Sequence, residues 1–563
     1  MKFQEFAYNR PDLKAFEETF LGLLDRFAAA ASCEEQNRAM QSINDARSEI
    51  ESMMQIAKIR YTINTADSFY KAEQDYFDEA APLYQGLIVK YYKALVSSPF
   101  RSELEAIWGP QLFAIAELEL KTFSDDVTRL LQEENKTVSE YIKLVASAKI
   151  PFEGEDRTLS QLAPFMQSTD RAMRKRAADA RYGFFEEHEA EIDGLYDRLV
   201  KLRTEIARKL GYANFIELAY ARLNRTDYDA SKVAVFRKQV LEHIVPVATK
   251  LNERRRIRLG LDKLRYYDGL SYLTGNPTPK GDPDWIVAQA QNMYAEMSPE
   301  TDAFFRFMLE GGLMDLVSKP SKRVGGYCTY ISKYKAPFIF SNFNGTSHDV
   351  DVLTHEAGHA FQAYMSRGQQ VPEYSHPTLD ACEIHSMSME FFAWPWIESF
   401  FKEDTDKYKF SHIGGAVSFI PYGVAVDEFQ HFVYEHPEAT PAERKAEWRR
   451  IERAYIPSRE YDDMPFLERG GFWHQQQHIF KTPFYYIDYT LAQICALQYW
   501  KRANDNRDDA WNSYVELCKA GGSRSFTGLV ALAGLRSPFE DGCVASVIGE
   551  IEAWLDGIDD TKL

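Results

Sequence analysis

The sequence predicts a mainly α-helical protein with a small β element near its middle. In residues 11–143, and again in 168–251, apolar residues recur at the three- and four-residue intervals of amphipathic helices. The exception is a pair of short segments, 324–331 and 336–343, which are rich in β-branched and aromatic residues and are typical of strands. Long helical tracts with one short pair of strands indicate the mainly α class.

Turn signals divide the chain into two regions. Residues 150–156 contain a proline and a glycine, interrupt the helical pattern and predict a turn or short hairpin. We therefore place a domain boundary near this point, between an N-terminal helical region, 1–160, and a larger C-terminal region, 161–563. In the first region the apolar spacing predicts long antiparallel helices.

The composition limits the classes of partner. The 563 residues include 66 basic and 84 acidic side chains, a net charge of −18, which argues against binding to nucleic acid or to an anionic membrane. The six cysteines show no C-x-x-C spacing, as expected for reduced thiols, and the first residues lack the apolar segment of a signal peptide. No run approaches the ~20 apolar residues of a membrane span. We expect a cytoplasmic protein, either a monomer or a small oligomer.

The most informative motif is an H-E-x-x-H formed by His355, Glu356 and His359. Residues four apart lie on one face of an α-helix, so the two imidazoles are expected to bind one Zn²⁺ per chain, with Glu356 about 100° round the helix. Zinc lowers the pKa of its bound water to about 7, and an adjacent carboxylate takes the proton as the water attacks a polarised carbonyl. The motif predicts a hydrolytic metal centre.

The residues around the motif predict that it lies on a helix. An apolar stripe repeats at i, i+4, i+7, i+8 and i+11, through Leu353, Ala357, Ala360, Phe361 and Tyr364. Turn residues come before the helix, and Thr346 and Asp349 have the spacing of a capping box. Gly358 inside the helix costs about 1 kcal/mol relative to alanine, which predicts that a backbone or the substrate passes close to it.

The third protein ligand of the metal is expected on the next helix. Ten of the twelve histidines lie between residues 348 and 478, which supports a single centre. A new helix is predicted with Pro377 in its first position and with Pro395 at its end. Its acidic candidates are Asp380, Glu383 and Glu390. Spacing ranks Glu383 only slightly above the others as a ligand, and Glu390 or Asp380 is then suited to orient a ligating imidazole.

These residues together resemble the thimet oligopeptidase family of zinc metallopeptidases, in its bacterial oligoendopeptidase F branch, which includes Pz-peptidases. The resemblance is carried by the H-E-x-x-H motif and by Glu383, 24 positions after its second histidine, and covers roughly residues 160–560. It implies that His355, His359 and Glu383 bind zinc and that Glu356 is the general base. It also implies two mostly helical lobes around a deep substrate channel.

A second group of candidate residues follows a glycine-rich segment. Thr482 and Pro483 are predicted to be the cap and the first residue of a helix. On such a helix Tyr486 and Tyr489, or Tyr485 and Tyr489, share a face. We choose Tyr486, and Tyr485 is the alternative if the helix is shifted by one residue.

The family resemblance gives these side chains a role in catalysis. It implies that His478, Tyr486 and Tyr489 contact the substrate and the developing oxyanion, where a tyrosine hydroxyl supplies a few kcal/mol of transition-state stabilisation. An aromatic helix face in the core is the structural alternative for the tyrosines. His474 and His478 also form an H-x-x-x-H, and a second metal site there is a further alternative.

The sequence therefore predicts a zinc-dependent endopeptidase that hydrolyses internal bonds of oligopeptides. The strands before the metal helix either pair with an extended peptide through their edge or only support that helix. A zinc carboxypeptidase or dipeptidyl-carboxypeptidase is an alternative, because it uses the same metal centre. From another class, the chain is a helical peptide-binding scaffold with a structural zinc, which normally has four protein ligands.

Overall fold

The computed structural model confirms the mainly helical class. It describes residues 1–269, 271–319, 321–323 and 325–563. Helix accounts for 71% of the structure and strand for 4%.

Long helices form the N-terminal part, as their apolar spacing predicts. The carboxylates of Asp12 and Asp67 and the hydroxyl of Ser32 cap three of them by accepting backbone N–H groups in the first turn. The helices of this part are α1 (Leu13–Ala29), α2 (Cys33–Ile63), α3 (Ser68–Val96), α4 (Arg101–Trp108), α5 (Pro110–Glu119) and α6 (Thr128–Ala146).

The second helical tract precedes the small sheet, and the last tract follows it. The former contains α7 (Ala163–Met166), α8 (Arg171–Glu187), α9 (Glu189–Lys209), α10 (Phe215–Arg222), α11 (Ala230–Gln239), α12 (Val245–Arg258), α13 (Pro283–Met297) and α14 (Pro299–Gly311). The latter contains α15 (His348–Met365), α16 (Leu379–Phe392), α17 (Glu398–Phe401), α18 (Thr405–Glu435), α19 (Pro441–Tyr455), α20 (Pro465–Glu468), α21 (Gln477–Lys481), α22 (Tyr486–Asp505), α23 (Arg507–Ala520), α24 (Phe526–Leu532) and α25 (Cys543–Asp556).

The predicted hairpin in the first region is present. Strand β1 (Ile150–Phe152) pairs antiparallel with β2 (Glu155–Arg157). Glu153 and Gly154 between them both have positive φ angles, 50° and 82°, as a two-residue hairpin turn requires.

A three-stranded sheet lies beside the H-E-x-x-H helix, in the order β3-β5-β4. Strands β4 (Tyr327–Ile331) and β5 (Ala336–Phe343) are the predicted pair and run antiparallel, while Val324, where the first was predicted to begin, lies outside the described residues. Strand β3 (Met314–Val317) was not predicted and pairs parallel with β5. It has four residues and a charged Asp315, so its strand conformation depends on the pairing rather than on local preference.

The largest buried cluster contains apolar residues from both predicted regions, from Phe3 and Ile56 to Leu555. A smaller cluster joins N-terminal helices to Val371 and Tyr374, which follow the metal helix. Buried apolar packing thus continues across residue 160. The division of the chain into two regions at that residue stays a prediction.

None of the helices in the described part of the chain combines the length and apolar character needed to span a bilayer.

Candidate metal centre

Helix α15 crosses α16 at Gly358, where the two backbones almost touch. A Cβ built on Gly358 lies 2.7 Å from the carbonyl oxygen of His385 and 2.7 Å from Cα of Ser386. Real Cβ atoms do not approach other heavy atoms this closely, so only glycine fits without a shift of one helix. The expected close approach at this glycine is confirmed, and it is made by the backbone that follows Glu383.

The start of α15 differs from the predicted capping box. Ser347 precedes the first helical residue and its side chain makes no capping hydrogen bond. The carboxylate of Asp349 accepts instead from the backbone N–H groups of Asn344 and Gly345, at 2.8 and 2.7 Å. Asp349 is buried, so pairing with two amides of the preceding turn stabilises its charge. The predicted capping box of Thr346 and Asp349 is therefore wrong, and the two residues meet only through the backbone, where the N–H of Asp349 donates to the carbonyl of Thr346 at 3.0 Å.

Helix α16 starts two residues later than predicted. It begins at Leu379, after Thr378 in an extended conformation, so Pro377 lies outside the helix and not in its first position. The reason is a tertiary contact. The carbonyl of Ser375 accepts hydrogen bonds from the side chain of Gln362, which lies on α15, and from the side chain of Ser366, which follows that helix. This holds the segment before α16 against the metal helix.

The two helices bring three metal-binding groups together. Nε2 of His355 lies 3.2 Å and Nε2 of His359 lies 3.3 Å from Oε2 of Glu383. One ligand atom from each of the three residues lies within 4.8 Å of the other two. Among the described residues, this is the group of histidine, cysteine or acidic side chains that comes so close together. Two imidazoles and a carboxylate are a donor set of catalytic zinc sites, which keep one position open.

The electrostatics of the group also fit a bound cation. Burial lowers the pKa of His355, but Glu383 and Glu390 outweigh burial and raise that pKa to about 10. Burial raises the pKa of Glu383, but His359 and His355 outweigh it and hold that pKa well below its usual range. The site therefore favours a positive charge between the imidazoles and the carboxylate, as a divalent metal supplies.

Glu356 lies beside this group and has an unsatisfied oxygen. Its side chain is buried, and Oε2 has no hydrogen-bond partner among the described residues. Burial raises the pKa of this carboxyl, although His359 and His355 oppose the shift. Buried carboxylate oxygens normally accept a hydrogen bond, and a water molecule or a substrate group is suited to donate it to this oxygen.

A chain of hydrogen bonds orients the imidazole ring of His355 through its Nδ1 atom. Its Nδ1 lies 2.7 Å from Oε1 of Glu390, whose Oε2 lies 2.6 Å from Nε2 of His412. The indole N–H of Trp394 donates to Nδ1 of His412 at 3.0 Å, so Nε2 of that ring carries the proton and donates to Glu390. Glu390 therefore accepts two N–H groups and leaves Nε2 of His355 free for a metal.

Glu390→Gln is expected to raise the zinc dissociation constant about 10- to 100-fold. Glutamine has one acceptor oxygen, so its amide N–H₂ would face the N–H of either His355 or His412. Competition with a coloured chelator measures the change. Glu398→Gln, at an exposed position of α17, is the matched control and leaves affinity unchanged. Equal affinity in the Glu390 variant would show that this carboxylate does not orient the ligand.

The tyrosine helix starts later than predicted, at Tyr486 rather than at Pro483. Thr482 ends α21, and Phe484 has a positive φ of 64°, which no helix continues. Tertiary contacts hold Phe484 there, since its N–H donates to Oε1 of Gln430 at 2.9 Å and its carbonyl accepts from Arg225 at 2.6 Å. The predicted helix start is wrong because these buried contacts outweigh the local signal.

The three tyrosines form one cluster with His478, and this cluster reaches the metal-binding group through Tyr485. The hydroxyl of Tyr485 donates to Oε1 of Glu383 at 3.4 Å, and its ring centre is 5.0 Å from that of Tyr489. The ring of Tyr486 packs at a tilt of 53° against the ring of His478, with centres 4.8 Å apart. Burial raises the pKa of Tyr486 to about 12, so its phenol keeps its proton at neutral pH. The structure thus brings Tyr485, Tyr486, Tyr489 and His478 together beside the same site.

His478 is neutral and has a defined tautomer. Burial, with a contribution from Lys481, lowers its pKa to about 4. The hydroxyl of Tyr422 donates to Oε1 of Gln476 at 2.8 Å, and the amide N–H₂ of Gln476 then donates to Nδ1 of His478 at 2.7 Å. The remaining ring nitrogen, Nε2, therefore carries the proton and is a hydrogen-bond donor.

His474 makes a structural contact. Its ring is fully buried, and Nε2 lies 2.9 Å from Oδ1 of Asp193. Nδ1 of His385, which also lies near the centre, is 3.3 Å from the carbonyl of Cys382, and the thiol of Cys382 is 3.8 Å from Nδ1 of His359. Cys382 is partly buried, and nothing in the spacing of the cysteines along the sequence indicates this contact.

Two family models match the chain. The Peptidase M3 N-terminal domain matches residues 3–123, and Peptidase family M3 matches residues 286–547. The second match contains the three candidate metal ligands, Glu356, His478 and all three tyrosines.

Solved structures and curated sequences agree with these matches. A structure of Pz peptidase A with an inhibitor is 62% identical in sequence, covers 100% of both chains and has a TM-score of 0.94. A structure from Bacillus anthracis assigned as an oligoendopeptidase F is 58% identical, covers 100% of this chain and 99% of the other, and has a TM-score of 0.90. The oligoendopeptidase F homolog of Borreliella burgdorferi is 24% identical over 380 residues, which are 65% of this chain.

The alignment spans 62% of the length of that Borreliella relative, whereas the Pz peptidase A structure is covered completely. The resemblance drawn from the H-E-x-x-H motif and Glu383 is confirmed by the family matches. With both family models on one chain and a structure of 62% identity along all of it, this chain belongs to the Peptidase M3 family, among proteins similar to oligoendopeptidase F and Pz peptidase A.

Proposed function

We propose that this protein is a zinc-dependent endopeptidase that cleaves internal peptide bonds of oligopeptides. The observation that carries the proposal is the meeting of His355, His359 and Glu383 within 4.8 Å, next to a buried carboxylate with an unpartnered oxygen. Membership of the Peptidase M3 family and similarity to oligoendopeptidase F proteins support it. The proposed substrates are oligopeptides, and six free cysteines agree with a reducing, cytoplasmic location.

The proposed roles follow from the positions of the side chains. His355, His359 and Glu383 would hold one Zn²⁺, which when bound supplies Lewis-acid polarisation of the scissile carbonyl and makes water acidic. Glu356 takes the proton of the attacking water, and its raised pKa places it closer to neutral pH than an exposed glutamate. Glu390 keeps His355 in its ligating tautomer.

The proposed oxyanion donors are Nε2–H of His478 and the phenol groups of Tyr486 and Tyr489. Both kinds of group keep their protons at neutral pH, because burial lowers the pKa of His478 to about 4 and raises that of each tyrosine. Preorganised donors of this kind stabilise negative charge that develops on the carbonyl oxygen. Tyr485 is the alternative to Tyr486, since its hydroxyl lies near Glu383.

Tyr489→Phe is expected to lower kcat about 100-fold with unchanged zinc content, because one donor to the oxyanion is lost. Parallel variants Tyr485→Phe and Tyr486→Phe decide which neighbour acts with it, and the larger fall in kcat identifies that residue. Tyr499→Phe is the control in the same helix, since its hydroxyl contacts Ser513. Normal turnover in all three variants would show that these tyrosines are core residues without a role as oxyanion donors.

The free edge of β4 is the proposed docking site for the peptide backbone. This strand lies at the edge of its sheet and pairs there with β5 alone within the described chain. Just before it, a Cβ built on Gly326 lies 3.5 Å from Oε1 of Glu356, so the strand begins beside the proposed base. An extended peptide added to this edge would pass Glu356, bound through main-chain hydrogen bonds that read little sequence.

Metal analysis combined with mass spectrometry of a mixed-length peptide set tests the function. We expect about one zinc per chain and cleavage at internal bonds, also when both peptide ends are blocked. Cleavage that requires a free C-terminal carboxylate two residues from the bond would instead indicate a dipeptidyl-carboxypeptidase. Bound zinc without any peptide hydrolysis would instead indicate the structural-zinc scaffold, whereas hydrolysis that EDTA abolishes would exclude it.

A further inference from the structure

Two adjoining cavities lie along α12, away from the metal-binding residues, one of them against α18 and the other against residues 264–269 and 456–459. One has a volume of about 150 Å³ and the other of about 230 Å³. Asn252 and Arg255 of α12 line both cavities, so the two share one wall. The first is completed by Gly414, Gly415 and Ser418 of α18, among others. We refer to the pair as the Arg255 cavity.

Arg255 has no charge partner in this cavity. Its guanidinium makes no hydrogen bond or ion pair with any residue that the structure describes, and its Nε is buried. Burial, together with Arg258 and Arg459, outweighs Asp268 and lowers the pKa of Arg255. The group remains a cation at neutral pH, because arginine is effectively always protonated.

The other charged groups around the cavity are already paired. Arg459 lies 3.2 Å from Glu452, and Arg258 and Arg265 are bonded to Asp560 and Asp462. Asp268, the acidic residue in the wall, accepts from Arg171 at 2.8 Å and from Arg174 at 3.0 Å. The cavity therefore holds one uncompensated positive charge, in a chain whose net charge is −18.

The missing partner has the chemistry of a carboxylate. A half-buried guanidinium presents a planar fork of N–H donors that matches a carboxylate through two parallel hydrogen bonds. The cavity has room for such a group on a short side chain or at a chain end, since about 10–15 Å³ of such volume already holds a water. Without an anion, the buried Nε has an unmet hydrogen bond.

The wall formed by α18 connects the cavity to the proposed active site. Gly415 and Ser418 are exposed, although most of their helix is buried. One turn after Ser418, Tyr422 lies on the same face and packs against Tyr486, with ring centres 5.9 Å apart. Tyr422 also donates to Gln476, which contacts His478, so one face of α18 leads from Arg255 to the proposed oxyanion donors.

We propose that the Arg255 cavity is a subsite that binds a carboxylate group of the peptide, either its C-terminal carboxylate or an Asp or Glu side chain. The proposal deepens the peptidase function and rests on it. It makes Arg255 a residue that determines substrate preference, without a role at the reacting bond. Peptides with a negative charge that reaches this cavity are the preferred substrates.

Sets of four peptides test the subsite, and each set combines a C-terminal acid or amide with an internal Glu or Gln. The sets differ in the distance of that internal residue from the cleaved bond. The wild-type protein should cleave a carboxylate-bearing member about 10- to 100-fold better in kcat/KM than its neutral counterpart, the value of a hydrogen bond to a charged group. Arg255→Gln should lose this preference while it cleaves the neutral peptide at the wild-type rate. Arg255→Lys should keep part of it.

Arg256→Gln is the matched control, because Arg256 lies next in the same helix and pairs with Glu253 at 2.6 Å instead of lining the cavity. It should keep the wild-type preference. Sensitivity to the acid or amide end identifies the C-terminal carboxylate, and sensitivity to Glu or Gln identifies the side chain. Equal cleavage of all four peptides by the wild type, or an equal loss on all four in Arg255→Gln, would overturn the subsite.

A binding measurement separates this proposal from the peptidase function. Calorimetry with N-acetyl-glutamate and its neutral analogue N-acetyl-glutamine amide should show binding of the acid to the wild type and none to Arg255→Gln. If the protein cleaves no peptide but keeps this difference, the peptidase function fails and the carboxylate site stands. If it cleaves peptides but neither the acid nor the amide distinguishes the two proteins, the subsite fails alone.

Discussion

Glu356→Gln lowers kcat about 10²- to 10⁴-fold, the largest loss expected from a single substitution in this protein. Glutamine has the shape of glutamate but takes no proton from the attacking water. The zinc content should not change, because Glu356 is not one of the three converging ligands. Stopped assays with a fluorescent peptide measure kcat, and metal analysis of the same sample measures zinc.

The folded state of this variant should be as stable as that of the wild type or more so. The substitution removes a buried charge whose Oε2 has no partner in the described structure. Glu310→Gln, an exposed position on α14, is the matched control for loss of one charge and should keep full activity. Turnover close to normal in the Glu356 variant would reject this residue as the base, and joint loss of zinc and activity would make its role structural.

Gly358→Ala is expected to destabilise the protein by about 1 to 3 kcal/mol and to weaken zinc binding. The new methyl group would lie 2.7 Å from backbone atoms of His385 and Ser386, which no side-chain rotation relieves. The helices must separate, and Glu383 then moves relative to His355 and His359. Thermal unfolding of the metal-free protein measures the first effect, and chelator competition measures the second.

Gly183→Ala provides the control for this substitution. Gly183 lies within α8, and a Cβ added there meets nothing within 4 Å. Alanine at that position should stabilise the helix by about 0.5 to 1 kcal/mol, because glycine is the weaker helix former. If Gly358→Ala had the same small stabilising effect, the close packing of α15 on α16 would be wrong.

Local sequence signals predicted the elements that carry the site. The apolar stripe around the H-E-x-x-H motif is enough to place His355 and His359 on one face of α15, since helical geometry is the same in every context. Gly358 was expected to mark a close approach. Glycine inside a helix lowers stability relative to alanine, and the absence of a side chain allows another backbone or a substrate to come close. That approach is present, between α15 and α16.

Helix starts were less predictable, because distant residues decide them. Pro483 carries a strong local start signal, yet α22 begins at Tyr486. Gln430 and Arg225 hold the backbone of Phe484 in a conformation that interrupts the helix. These partners are distant in the chain, so no local pattern indicates them. The choice between Tyr485 and Tyr486 depends on this start and stays a prediction.

The sequence by itself determined the mainly helical class, the H-E-x-x-H helix and the family resemblance, because periodicity and a short motif are local properties. Only the tertiary structure brought Glu383 to within 3.3 Å of both imidazoles, joined Glu390 to His412 and left Arg255 without a partner. Each of these depends on distances between groups on different elements. Such distances follow from how helices pack across the whole chain, and a one-dimensional pattern does not contain them.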